Sequence, residues 1–255
     1  MKSHEILKIL EQVRQALASK IDAKALAASA RYFKEGEAAK VYGVKTNEVR
    51  KIAMAGIQQI KDYPKHTIFE MCEELWKSGY FEEAVVACIW SESLYKQYAP
   101  EDFTVFERWL DNYVTNWADC DILCNHTIGT FMMMYPDYVV SLKNWAKSPN
   151  RWMRRGAAVT LIIPARKGLF LNEIFEITDI LLTDNDDLVQ KGYGWMLKAA
   201  SMSEASAKGN DEKKKEHLNA VFQYVLKHKS VMPRTAFRYA IEKMPDELKR
   251  EAMKK

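Results

Sequence analysis

Apolar residues recur at three- and four-residue spacing along almost the whole chain. No run alternates with period two between turn signals. Ile6, Leu7, Ile9, Leu10, Val13 and Leu17 set the pattern, and Val49, Ile52, Ala53, Ile57 and Ile60 repeat it. Ile68, Met71, Cys72 and Leu75 follow, then Ala84, Val85, Cys88, Ile89 and Leu94. Such a chain can bury its apolar faces only by packing helix on helix. Pro64, Pro100, Pro136, Pro149, Pro233 and Pro245 fall where helices should begin, because proline is tolerated in a first turn and disruptive further in. Pro164 is the exception, and its position predicts the end of the helix that carries Arg155. The coarse reading is about twelve to fourteen helices joined by short loops.

The helices come in pairs. Trp76, Trp117, Trp152 and Trp195 are separated by 41, 35 and 43 residues, near the length of a two-helix HEAT-type unit. No consensus string recurs, so the spacing predicts an all-α, irregular HEAT-like solenoid, an α-α superhelix with a concave face for a long partner. Residues 1–255 read as a single domain. The segment 201–215 (SMSEASAKGNDEKKK) reads as a surface loop leading into a helix from about Glu212 to His228. A domain boundary there is the alternative, but the C-terminal remainder is small for an independent unit.

Lys plus Arg exceed Asp plus Glu by 38 − 34 = 4, a weak signal of an acidic partner. The placement says more than the total. From Tyr138 to Asn172 there is no carboxylate, but there are seven basic residues: Lys143, Lys147, Arg151, Arg154, Arg155, Arg166 and Lys167. No run of apolar residues is long enough to span a membrane, and the N-terminal residues lack the pattern of a secretory signal. The expectation is a cytoplasmic, monomeric protein with no membrane partner. Cys120, Cys124 and His126 are too few for a zinc site, with no second Cys/His cluster near them. The four cysteines therefore read as free, buried or half-buried thiols, and no metal is expected.

Three segments carry candidate chemistry. In NWADCDILCNHTIG, Trp117 and Asp121 are four apart and share a helix face. Asp119 and Asp121 also sit near a helix start, where capping or macrodipole complementarity accounts for a carboxylate equally well. In NRWMRRGAAVTLIIP, Arg151 and Arg155 are four apart and share an outer or groove-lining face, against the alternative of a solvated basic surface. In LVQKGYGWMLKAAS, Lys191 and Trp195 share a face, and Gly192 and Gly194 suggest close approach by another helix. For Trp117 and Trp195 the competing role is core packing. One carboxylate, two large aromatics and concentrated positive charge suit stabilisation of a developing cation on a polyanion. Nucleophile elbows, HExxH, P-loops and kinase elements are missing from the sequence, and His4, His66, His126, His217 and His228 are scattered.

These segments resemble the AlkD-like family of DNA alkylation repair glycosylases. ARYFKEGEAAKVYGVKTNEVRKIA resembles its Tyr-x-Lys and Gly-hydrophobic-x-Thr-x-x-x-Arg stretch, with Tyr32, Lys34, Gly43, Thr46 and Arg50. LWKSGYFEEAVVA is similar to its second repeat, NWADCD carries its Trp-x-x-x-Asp, and SPNRWMRRGAA its Asn-x-Trp-x-x-Arg. QKGYGWMLK and PRTAFRYAIEKM are similar to its Gln-Lys-x-x-Gly-Trp element and closing helix. The chain departs from the pattern at Asn116, where relatives often carry a second tryptophan, and at Leu188 and Val189, where they often carry aromatics. The resemblance implies a HEAT-like solenoid holding duplex DNA on a concave basic face. It implies excision of cationic alkylpurines such as N3-methyladenine and N7-methylguanine, without a base-flipping pocket and without a cofactor. Trp117, Asp121 and Trp195 would form the catalytic group, and Arg155 would contact phosphate. Arg151, Arg154 and Lys191 join Arg155 as expected DNA-binding residues. A non-catalytic homologue that binds distorted or branched DNA and a HEAT-like protein scaffold are the competing readings.

Overall fold

The computed structural model describes residues 2–29, 32–33, 37, 40–203 and 211–254. Lys34 and residues 204–210 of the expected loop lie outside that set. Sixteen α-helices are found among the described residues, with two isolated bridges, Ile21 to Val44 and Lys40 to Tyr80, and no strand. The fold is all-α, as the periodicity requires, and has the packing pattern of stacked helical repeats. None of the described helices is long and apolar enough to cross a membrane. The chain divides into two compact units, Met1–Leu123 and Cys124–Lys255.

The first unit contains α1 (Lys2–Ala18), α2 (Ala23–Ser29), α3 (Thr46–Ile60), α4 (Lys65–Lys77), α5 (Phe81–Ser93), α6 (Asp102–Asn112) and α7 (Trp117–Ile122). α5 is its centre, packed by α3, α4 and α7. That explains why α5 is apolar nearly all round, with Ala84, Val85, Val86, Ala87, Cys88 and Trp90 all buried. Full burial of each large apolar side chain contributes about 1.5–3 kcal/mol. Two carboxylates enter this interior. Glu82 is 2 % exposed, and its oxygens accept from the backbone N–H groups of Tyr42, Gly43 and Val44 at 2.8–3.0 Å. Glu83 accepts from Tyr42 Oη at 2.7 Å and pairs with Arg14 at 3.1 Å. Gly43 sits at φ +82°, and a Cβ there would lie 2.6 Å from Leu26 Cβ. The glycine of the Gly-hydrophobic-x-Thr segment is thus required twice, by its backbone conformation and by the neighbouring helix.

The second unit contains α8 (Gly129–Met134), α9 (Val139–Trp145), α10 (Arg151–Val159), α11 (Ile162–Arg166), α12 (Leu171–Leu181), α13 (Asp187–Ser201), α14 (Asp211–His228), α15 (Arg234–Ile241) and α16 (Asp246–Met253). α13 is the hub, touching α10, α11, α12, α14 and α15. The prolines act as expected at α4, α15 and α16, where Pro64, Pro233 and Pro245 occupy the N-cap. Pro164 needs a correction. α10 already ends at Val159, and Pro164 is the third residue of α11, where its missing N–H would have had no intrahelical partner. Short breaks of this kind raise the helix number above the twelve to fourteen read from periodicity.

Candidate functional site

Five of the seven tryptophans are buried: Trp76, Trp90, Trp109, Trp145 and Trp152, none more than 8 % exposed. The remaining two, Trp117 and Trp195, are half-exposed. Trp76 and Trp152 therefore lie in the core, while Trp117 and Trp195 are only partly covered.

In the first unit, Trp117 opens α7 and Asp121 follows one turn later, also half-exposed. The helix starts here because Asn116 caps it: Asn116 Oδ1 accepts from Asp119 N at 2.9 Å. The asparagine that departs from the family pattern thus has a local task. Trp117 Nε1 donates to the Tyr32 carbonyl at 3.2 Å, and its ring lies 6.3 Å from that of Phe33. Phe33 in turn meets Phe81 edge-on at 6.4 Å. Tyr32, Phe33, Phe81 and Trp117 help to line a cavity of about 420 Å³ within this unit. Its aromatic wall is not apparent from the sequence, because Phe33 and Phe81 belong to different segments.

Asp119 has the sequence position of an ordinary first-turn carboxylate, yet it is only 5 % exposed. Asn116 Nδ2 donates to its Oδ2, while Oδ1 is buried without a hydrogen-bond partner among the described residues. Burial pushes its carboxyl up to about 7 against the Asn116 hydrogen bond, and the nearby Glu82 charge adds to the rise. The Asn-x-x-Asp spacing is the available signal, since it matches a capping pair.

In the second unit, Asn150 caps α10 by accepting from Trp152 N at 2.9 Å, and Trp152 is buried behind it. Arg151 is half-exposed, stacks over the Trp152 ring at 4.9 Å and pairs with Asp186 at 2.7 Å. Arg155, four residues on, is only 5 % exposed, and its Nη1 donates to the Leu188 carbonyl. The two arginines therefore do not share an equally open face: α13 covers the second. Arg154 pairs with Asp184 at 2.7 Å and donates to the Ser148 and Pro149 carbonyls at 3.0 Å. Lys191 pairs with Asp187 at 3.1 Å. The acid-free run is thus met by Asp184 and Asp186, which precede α13, and by Glu176 of α12, which pairs with Lys143. Lys147, Arg166 and Lys167 are exposed and make no ion pair among the described residues.

Trp195 stands on α13 beside two glycines with different jobs. A Cβ on Gly194 would lie 2.7 Å from the Ala236 carbonyl oxygen and 2.7 Å from Tyr239 Cβ, so α15 can seat only against a glycine. A Cβ on Gly192 would meet Arg155 Cγ at 3.5 Å and Val159 Cγ2 at 3.6 Å, ordinary contact. The sequence inference of a close helix approach is met at Gly194. All four cysteines are free and buried, and no group of three or more His, Cys, Asp or Glu residues is gathered around a potential metal position among the described residues.

The chain matches the family model for DNA alkylation repair enzyme over residues 13–244. Its fold is similar to a solved structure described as a predicted DNA alkylation repair enzyme from Enterococcus faecalis, with a TM-score of 0.71 at 14 % identity, covering 89 % of this chain and 98 % of that one. No curated protein matches. The chain belongs to the DNA alkylation repair enzyme family, and a role in DNA alkylation repair follows from that membership.

Proposed function

We propose that this protein is a DNA glycosylase that excises positively charged N3- and N7-alkylated purines from duplex DNA in the cytoplasm. The observation that carries the reading is the exposure pattern. Trp117 and Trp195 are the two tryptophans kept out of the core, and Asp121 lies one turn from Trp117 and is half-exposed. These are the residues that the family resemblance assigns to catalysis.

The chemistry asks little of the protein in proton transfer. The C1′–N bond breaks with its electron pair going to the purine, which neutralises the cationic ring. Positive charge then grows on the deoxyribose, water adds at C1′, and its proton leaves to solvent. A carboxylate near C1′ favours that charge more as it grows, which is the differential stabilisation that speeds a step. Asp121 supplies the carboxylate and orients the water. Trp117 and Trp195 offer π faces to the cationic sugar, each worth about 0.5–2 kcal/mol. An already cationic leaving group needs no metal or organic cofactor.

Arg155, Arg151, Arg154 and Lys191 are the proposed phosphate partners. Each also has an internal partner: the Leu188 carbonyl for Arg155, and Asp186, Asp184 and Asp187 for Arg151, Arg154 and Lys191. The test is release of N7-methylguanine from duplex DNA by wild type and by Asp121→Asn. The substitution should slow release by about ten- to a thousandfold, as for loss of one electrostatic stabiliser, with DNA affinity unchanged or higher. Equal release removes Asp121 from the mechanism. DNA binding by wild type with no release marks a non-catalytic homologue instead.

A further inference from the structure

α7 runs on without a break into a π-helical stretch, Leu123–Ile128, so Trp117 and Asp121 sit at its free N-terminal end, where the cap and the contacts with α5 fix their directions. The cap is a side-chain pair sealed from solvent: Asn116 is 0 % and Asp119 5 % exposed. Asn116 holds Asp119 twice, through the Asp119 backbone N–H and through one carboxyl oxygen. The other oxygen, Oδ1, is buried with no donor among the described residues. A carboxylate there keeps a charged oxygen out of water without a donor, whereas a neutral acid carries only the smaller cost of an unpaired polar atom.

The surrounding charges act in the same direction. α5 packs against α7, and Glu82 is the α5 carboxylate that raises the energy of a charge on Asp119. Its neighbour Glu83 is engaged by Arg14 and Tyr42. Among the described residues of the segment that meets Trp117, Tyr32 and the buried Glu37 are titratable, and Asp121 follows on α7 itself. Among the described residues, no cation is one of the groups acting on Asp119.

We propose that Asp119 is a positioning residue that, in its neutral form, holds the first turn of α7 and with it Trp117 and Asp121, and that losing its proton loosens this turn and lowers excision. The idea rests on the glycosylase reading for its activity readout, but not for its structural one. Asp119 does not touch the substrate; it acts through the helix. The N3-methyladenine cation has no proton that titrates near neutrality, so its release gives no reason of its own for activity to fall there, and the pH profile isolates Asp119.

Two measurements on the full chain test this. Release of N3-methyladenine is followed across pH for wild type and Asp119→Asn, after subtraction of spontaneous depurination. Wild-type release should fall about tenfold per pH unit above about pH 7, following the protonated fraction, while Asp119→Asn shows no such fall. Hydrogen-exchange protection of the Ala118–Ile122 amides in wild type should fall over the same interval. A flat wild-type profile, or an equal fall in the variant, overturns the proposal. Should wild type release nothing at any pH, the glycosylase reading fails and protection decides alone: unchanged protection across pH then overturns the positioning role. The wild-type exchange measurement also stands if Asp119→Asn does not fold.

Discussion

Gly192 and Gly194 lie in the same helix, two residues apart, and alanine should have opposite effects on them. Replacing a helical glycine by alanine gains up to about 1 kcal/mol from backbone entropy when nothing opposes it. At Gly192 the new Cβ meets Arg155 Cγ at 3.5 Å and Val159 Cγ2 at 3.6 Å, distances of ordinary contact. Gly192→Ala should therefore stabilise the protein by about 0.5–1 kcal/mol. At Gly194 the Cβ would sit 2.7 Å from the Ala236 carbonyl oxygen and 2.7 Å from Tyr239 Cβ. One obstacle is backbone and the other is anchored to it, so neither can swing aside as a side-chain tip would. Overpacking costs about 1–3 kcal/mol, which exceeds the propensity gain and leaves Gly194→Ala about 1–2 kcal/mol less stable than wild type. The assay is urea unfolding followed by far-UV circular dichroism, with midpoints compared at constant m-value. The reasoning is refuted if Gly194→Ala is as stable as wild type, or if Gly192→Ala is the less stable of the two.

Trp152→Ala, at a buried position, should lose about 3–5 kcal/mol of stability, whereas Trp117→Ala and Trp195→Ala should lose less and give up excision instead, with Phe recovering part of it. Thermal melts beside activity of the folded fraction separate these outcomes, and a stability loss at Trp117 as large as at Trp152 would return it to the core. Arg155→Ala should lower the salt dependence of DNA binding by about 0.9 log–log units if the side chain meets a phosphate. Arg154→Ala should lower the slope less, because Asp184 already pairs with its guanidinium, while destabilising the Ser148–Asn150 turn, whose carbonyls it holds. Equal slope changes in both would reverse the assignment. Asp119 also predicts a pH effect on stability. Its carboxyl is raised in the folded state from 3.8 to about 7, so the folded form binds the extra proton and stability falls as pH rises through that window. Between about pH 5.5 and about pH 8 the loss should be about 2 kcal/mol, absent in Asp119→Asn, and urea midpoints at both pH values would expose a wild type without it.

The helical fold is legible in the sequence because periodicity is a local property, repeated in segment after segment from Ile6 onwards. The start of α10 just after Pro149 is legible for the same reason. Pairing across the chain is not. The run from Tyr138 to Asn172 looks like a field of positive charge, but Arg151 and Arg154 are met by Asp186 and Asp184, some thirty residues downstream. Charge counted along the sequence ignores partners brought in by another element, here the turn before α13. Burial has the same limit. Arg151 and Arg155 have the same spacing logic, but α13 covers only the second, which lies against Gly192. Asp119 looks like any first-turn acid, because nothing local announces that α5 and its Glu82 stand over it. Motif alone selects the two candidate tryptophans; their half-exposure emerges only once the other five are seen packed inside.

A protein that meets alkylated DNA works in the presence of the reagents that alkylated it. Its strongest nucleophiles toward such reagents are its thiolates, and Cys72, Cys88, Cys120 and Cys124 are all buried. The Cys72 thiol is also held protonated, since burial pushes its titration well above the usual thiol range. Closed packing therefore doubles as chemical armour. An electrophile must wait for local opening before it reaches these sulfurs, so the rate at which the repair protein is itself damaged is tied to how often its helices part.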